Sequence, residues 1–95
     1  MNNTVTEEKL EKSFSITKEA LEVAKKAEKK KSMKKEAADF LDMASRYYSD
    51  AQHFKEKGNY VLAFGALNYA HGWLDAGARI GLFKVKDSRL FTVDD

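Results

Sequence analysis

Asn68, His71, Asp75 and Arg79 stand at i, i+3, i+7 and i+11. On a helix that spacing lines an amide, an imidazole, a carboxylate and a guanidinium along one face. Such a line has the parts needed to hold an anionic or nucleotide-like ligand. Asp75 can orient His71 or anchor Arg79, each four residues away, while Arg79 and Asn68 receive the ligand's polar groups. Gly72, beside His71, would let a ligand approach the backbone closely. The same spacing also suits a polar seam satisfied by neighbouring protein, because ion-pair networks are often purely structural.

Two other groups of residues invite chemistry. Arg46 and His53 are seven apart on the polar back of a periodic segment, where a solvated face is the plainer account. Seven lysines, Lys25, Lys26, Lys29, Lys30, Lys31, Lys34 and Lys35, fall within eleven residues. Those following the first bend would oppose the dipole of the helix they begin, which hints at an acidic partner such as RNA contacted by Lys30, Lys31, Lys34 and Lys35. No arginine or aromatic is interleaved with them, so a solvated basic face fits the same residues. Two histidines, no cysteine and no H-E-x-x-H spacing give no metal site, and no phosphate-cradling glycine loop points to a cofactor.

The elements that must position these residues are helices. There is no proline in 95 residues, and 43% are apolar and 34% charged, the balance of one small folded domain spanning residues 1–95. Thr4 and Glu7 have the spacing of a capping box. Leu10, Phe14, Thr17, Leu21 and Ala24, flanked by Ile16, Ala20, Val23 and Ala27, then make the apolar half of a helix over about 6–30. Ser32 is the expected cap of a second helix over about 33–57, whose stripe is Met33, Ala37, Phe40, Ala44, Tyr47, Ala51 and Phe54. Gly58 suits a left-handed C-terminal cap and Asn59 can begin the next helix at once, which predicts an antiparallel hairpin with a third helix over about 60–81.

That third segment, Tyr60 to Phe83, is apolar on nearly every side apart from the polar line, as a helix buried by its neighbours would be. Leu62, Tyr69, Trp73 and Ile80 lie on a side away from that line, which two covering helices need not bury, so self-association or a protein partner is expected. Its internal glycines Gly65, Gly72 and Gly77 forgo about 0.5–1 kcal/mol each relative to alanine, which close approach of another helix or of a ligand would offset. Leu82, Phe83, Val85, Leu90, Phe91 and Val93 are too apolar for a free tail, so residues 82–95 should fold back on the bundle. Phe83 to Lys86 alternates as a strand would, with no sheet to join.

The fold expected is therefore all-α, an antiparallel three-helix bundle with a packed C-terminal tail. The polar line interrupts the longest apolar stretch, which excludes a membrane span. The N-terminal residues carry Glu7, Glu8 and Glu11 and no apolar run, unlike a signal or transit peptide, so the cytoplasm is the expected location.

Three resemblances enter with these residues. Phe54 to Tyr60 with Ala63 and Ala70 resembles one helix-turn-helix of a tetratricopeptide unit, but no second copy follows at that period. Ala44, Tyr47 or Tyr48, Asp50, Ala51, Phe54, Gly58, Tyr60, Ala63, Phe64 and above all Asn68 to Gly77 with Arg79 and Gly81 resemble a mainly archaeal family, domain-of-unknown-function family 357, over the C-terminal two-thirds. That resemblance implies a small antiparallel helical bundle and no activity. Arg46 and His53 resemble the Arg-x4-6-His signature of ribonucleases in the HEPN superfamily, with Tyr47 in place of the polar residue common there; that resemblance implies RNA or nucleotide chemistry. The residues favour a non-catalytic binding or assembly module, with a HEPN-like nucleotide- or RNA-binding or ribonuclease bundle, using Arg46 and His53 or the line of His71, Asp75 and Arg79, as the alternative.

Overall fold

The computed structural model describes residues 4–93 and has the expected architecture. Three α-helices, α1 (Glu7–Lys26), α2 (Lys34–Glu56) and α3 (Tyr60–Arg79), pack as an antiparallel bundle, with a single 3-10 turn at Lys31–Met33 between the first two. α2 and α3 form the most extensive pairing, α1 lies across both, and the molecule measures 43 × 26 × 20 Å.

Capping chemistry accounts for most of the boundaries. Asn59 caps α3 by accepting from the Leu62 amide at 3.2 Å. Gly58 has φ +77°, and the bonds Asn59 N to Phe54 O and Gly58 N to Lys55 O complete the end of α2. The same arrangement recurs at Gly81, also φ +77°, where Leu82 N donates to Gly77 O and Gly81 N to Ala78 O. α3 thus stops at Arg79 rather than at 81, and its chain is turned back toward the bundle.

Three further expected starts and stops differ. Thr6, not Thr4, caps α1: its side chain accepts from the Lys9 amide at 3.1 Å, and a capping box from Thr4 to Glu7 does not set the helix start. α1 ends at Lys26 rather than 30, with Ala27 extended and no glycine beyond it. Its last carbonyls are met instead by the Lys29 ammonium, which donates to the carbonyls of Ala24 (2.9 Å), Lys25 (2.8 Å) and Ala27. Burial lowers the Lys29 pKa, as desolvation does for any cation. Ser32 lies inside the 3-10 turn, and α2 begins after Met33 with no side-chain cap.

The released residues 27–30 supply the partner that the alternating tail segment lacked in the sequence. Lys30 N donates to Leu82 O and Lys84 N to Glu28 O, both at 2.9 Å, around an antiparallel bridge between Lys29 and Phe83. From there the tail fills the wider end of the core. The helices contribute mainly alanine at their closest approaches, Ala20, Ala24, Ala37 and Ala44, and the volume comes from Leu82, Phe83, Leu90 and Phe91 together with Leu74. A second cluster, Leu10, Ala51, Ala63, Ala66 and Leu67, occupies the other end. Tyr48 packs against both clusters, with its ring edge-on to Phe14 at 5.7 Å.

Two apolar faces are left partly open to solvent. Ile16 and Val23 are exposed, so the apolar arc of α1 is narrower than half the helix. α3 is not buried on every side either: Val61, Leu62, Tyr69 and Ile80 are 49–65% exposed. Among the described residues, no helix is long and apolar enough to cross a membrane.

Candidate functional site

The polar line of α3 divides between two uses. His71 and Asp75, both half-buried, face the tail. His71 Nε2 lies 2.6 Å from the Leu90 carbonyl, which can only accept, so the imidazole proton is on Nε2. Asp75 accepts from the Thr92 amide at 2.9 Å through Oδ1 and from the Thr92 hydroxyl at 3.4 Å through Oδ2. The two side chains stand 3.9 Å apart, and together they hold residues 90–92 against α3. Arg89 adds a second tie, because its guanidinium meets the Glu19 carboxylate on α1, Nη1 to Oε1 at 3.3 Å, with Asp87 alongside. The Glu19 hydrogen bond and charge, then Asp87, raise the Arg89 pKa.

Asn68, Gly72 and Arg79 lie outside this clasp. Arg79 is exposed at the end of α3. Asn68 and Gly72 line an apolar groove of about 700 Å³ with Phe40, Gly65, Tyr69, Trp73 and Ala76. One wall is aromatic: the Trp73 indole meets Phe40 edge-on at 5.0 Å and 88°. Tyr69 stacks on Tyr47 of α2 at 5.2 Å with an interplanar angle of 18°, yet remains 65% exposed.

The glycines explain which surfaces are occupied within one chain. A Cβ on Gly77 would collide with the Phe83 ring, so this glycine makes room for the tail rather than for another helix. A Cβ on Gly65 or Gly72 would meet nothing within 4 Å. Close packing of another element of the same chain therefore does not offset the helix propensity these two forgo. Leu62, Gly65, Tyr69, Gly72 and Ala76 recur at alternating three- and four-residue spacing, the period of a helix-pairing seam. The recurrence is visible in the sequence, but only the position of α2 reveals that this stripe faces outward.

The other sequence candidates do not converge on the groove. Arg46 and His53 stand on the exposed back of α2, where Arg46 Nε pairs with Asp42 at 3.0 Å and the His53 ring tilts beside Phe54. Lys30, Lys31, Lys34 and Lys35 are exposed around the α1–α2 junction. Among the described residues, no group of three or more His, Asp or Glu is placed to hold a metal ion.

A three-helix bundle closed by its own C-terminal tail, with a glycine-floored groove on the last helix, defines the class. The chain belongs to a family of proteins of unknown function, DUF357, whose model matches residues 12–83 and so takes in most of α1 as well as the hairpin. Neither the curated proteins nor the solved structures contain a match to it.

Proposed function

We propose that this chain is a non-catalytic assembly module that pairs with a second copy of itself through the outward face of α3. The observation that carries the reading is the open stripe of Leu62, Gly65, Tyr69, Gly72 and Ala76, in which two glycines face empty space in mid-helix. Large and missing side chains alternate along one strip, so the same surface offers both knobs and holes. That is the self-complementarity a two-fold interface requires. Asn68 and Arg79, at the edge of the strip, give it polar groups that can fix register, while His71 and Asp75 act in the tail clasp.

A 20-residue helix presents a strip about 30 Å long and about 10 Å wide, which is at the small end for a specific interface. A strip of that size supports only weak association, with a dissociation constant of about 1 μM to 1 mM, or about 8 to 4 kcal/mol. Sedimentation equilibrium should show a monomer–dimer equilibrium that Gly72→Leu, filling a hole, and Tyr69→Lys, removing a knob, both shift toward monomer. A strict monomer up to about 1 mM overturns the reading.

A further inference from the structure

The end of the bundle where α1 stops and α2 starts is lysine-rich, and the tail adds to it. The backbone bonds between residues 28–30 and 82–84 bring Lys84 beside the junction that carries Lys30 and Lys31. Lys84 and Lys86 alternate with Phe83, which is buried, and Val85, which packs on the core, so the two lysines stand on the solvent side of this segment. Lys34 and Lys35 follow in the first turn of α2. These six lysines come from stretches about fifty residues apart in the chain, and no run of sequence shows them as one surface.

Two features keep this surface positive. The carbonyls at the end of α1, which would present negative charge, are covered by the Lys29 ammonium. The acids nearest in sequence are Glu28, Glu36 and Asp87; Asp87 is engaged by Arg89 at 3.4 Å, and Glu28 pairs with Lys84 at 3.2 Å, where both side chains are more than 60% exposed and such a pair exchanges readily for another anion. Lys34 and Lys35 also sit against the positive end of the α2 dipole, a conflict that an anionic partner relieves.

We infer that this lysine end docks on the phosphate backbone of a double-stranded nucleic acid without reading its sequence. Lysine ammonium groups are point charges suited to phosphate, and the six include no arginine fork or aromatic that could read base edges or stack on unpaired bases. The exposed apolar side chain nearest to this segment in the chain is the single Ile80, too little for an amphipathic membrane face, which favours a nucleic acid over insertion into a lipid surface. The inference does not depend on dimerisation, since the α3 stripe is formed by other residues.

The test is fluorescence anisotropy with a labelled mixed-sequence duplex of about 20 base pairs at about 50 to 200 mM salt, the protein kept below its self-association range. Engagement of four to six phosphates gives a slope of log K against log salt of about −3.5 to −5.5. Lys30→Gln/Lys31→Gln and Lys84→Gln/Lys86→Gln should each flatten that slope by about 1.8 and weaken binding severalfold, equally for duplexes of different sequence. Lys12→Gln/Lys18→Gln, on the exposed side of α1, should leave both unchanged. Absence of binding at the lowest salt, a slope near zero, equal loss in the α1 control, or stronger binding to phosphatidylserine vesicles than to the duplex would each overturn the inference.

Discussion

The Phe83 ring lies directly over Gly77, so that a Cβ added to the glycine would sit 2.3 Å from Cζ and 2.7 Å from Cε1. Both residues are buried in the larger core, where Phe83 cannot swing away without opening a void among Leu74, Leu82 and Phe91. Gly77→Ala should therefore destabilise the protein by about 1–3 kcal/mol, despite the better helix propensity of alanine. The denaturation midpoint checks this, and a cycle with Phe83→Leu locates the cause: once the ring is shortened, most of the penalty at Gly77 should vanish.

Five residues earlier, the same substitution should have the opposite sign. Gly72 has nothing within 4 Å of where a Cβ would be, and neither has Gly65. Each Gly→Ala change should stabilise the dilute monomer by about 0.5–1 kcal/mol through helix propensity alone. Urea melts at low protein concentration measure this gain. If the α3 stripe pairs with a second copy, Gly72→Ala also weakens the dimer, so one substitution moves monomer stability and association in opposite directions.

The contrast between Gly72 and Gly77 shows where the sequence stops being legible. Both are glycines in one helix with similar neighbours, and only the path of the tail distinguishes them. Local chemistry was readable: Gly58 and Asn59 announce the hairpin because a left-handed cap and an N-cap are properties of those residues themselves. The end of α1 was not, because Lys29 caps it through a side chain and residues 28–30 are held by a partner more than fifty positions away. His71 and Asp75 were readable as a polar pair on one helix face, yet their partners Leu90 and Thr92 carry no signal that matches them.

Asp75 holds the tail through the Thr92 amide, and that bond should be measurable on its own. Asp75→Ala leaves the amide without its acceptor and should lower stability by about 1–2 kcal/mol, given that Asp75 is partly exposed. Asp75→Asn keeps an oxygen at Oδ1 and should lose much less. Hydrogen exchange at Thr92 should accelerate strongly in the alanine variant and only slightly in the asparagine variant, while amides in the middle of α2 and α3 keep their protection. Uniform acceleration across the helices would mean that the clasp does not act locally.

Alkaline titration should expose Tyr48, whose ring packs against both core clusters. Desolvation by burial, with a smaller contribution from the Glu22 charge, raises its pKa above the ordinary 10.0. The folded state then keeps the phenol proton where the unfolded chain has begun to release it. The stability this supplies is fully present below pH 10.0 and is lost as pH rises through the raised value. Lys29 acts in the opposite sense: burial lowers its pKa below 10.5, so the unfolded chain binds the extra proton and stability rises with pH just below that value. The net alkaline slope of the wild type thus contains two contributions of opposite sign. Tyr48→Phe removes one of them, and its stability relative to wild type should be constant below about pH 9 and improve steadily above about pH 10. A difference independent of pH across that range would show that the Tyr48 hydroxyl is as well solvated in the folded protein as in the unfolded chain.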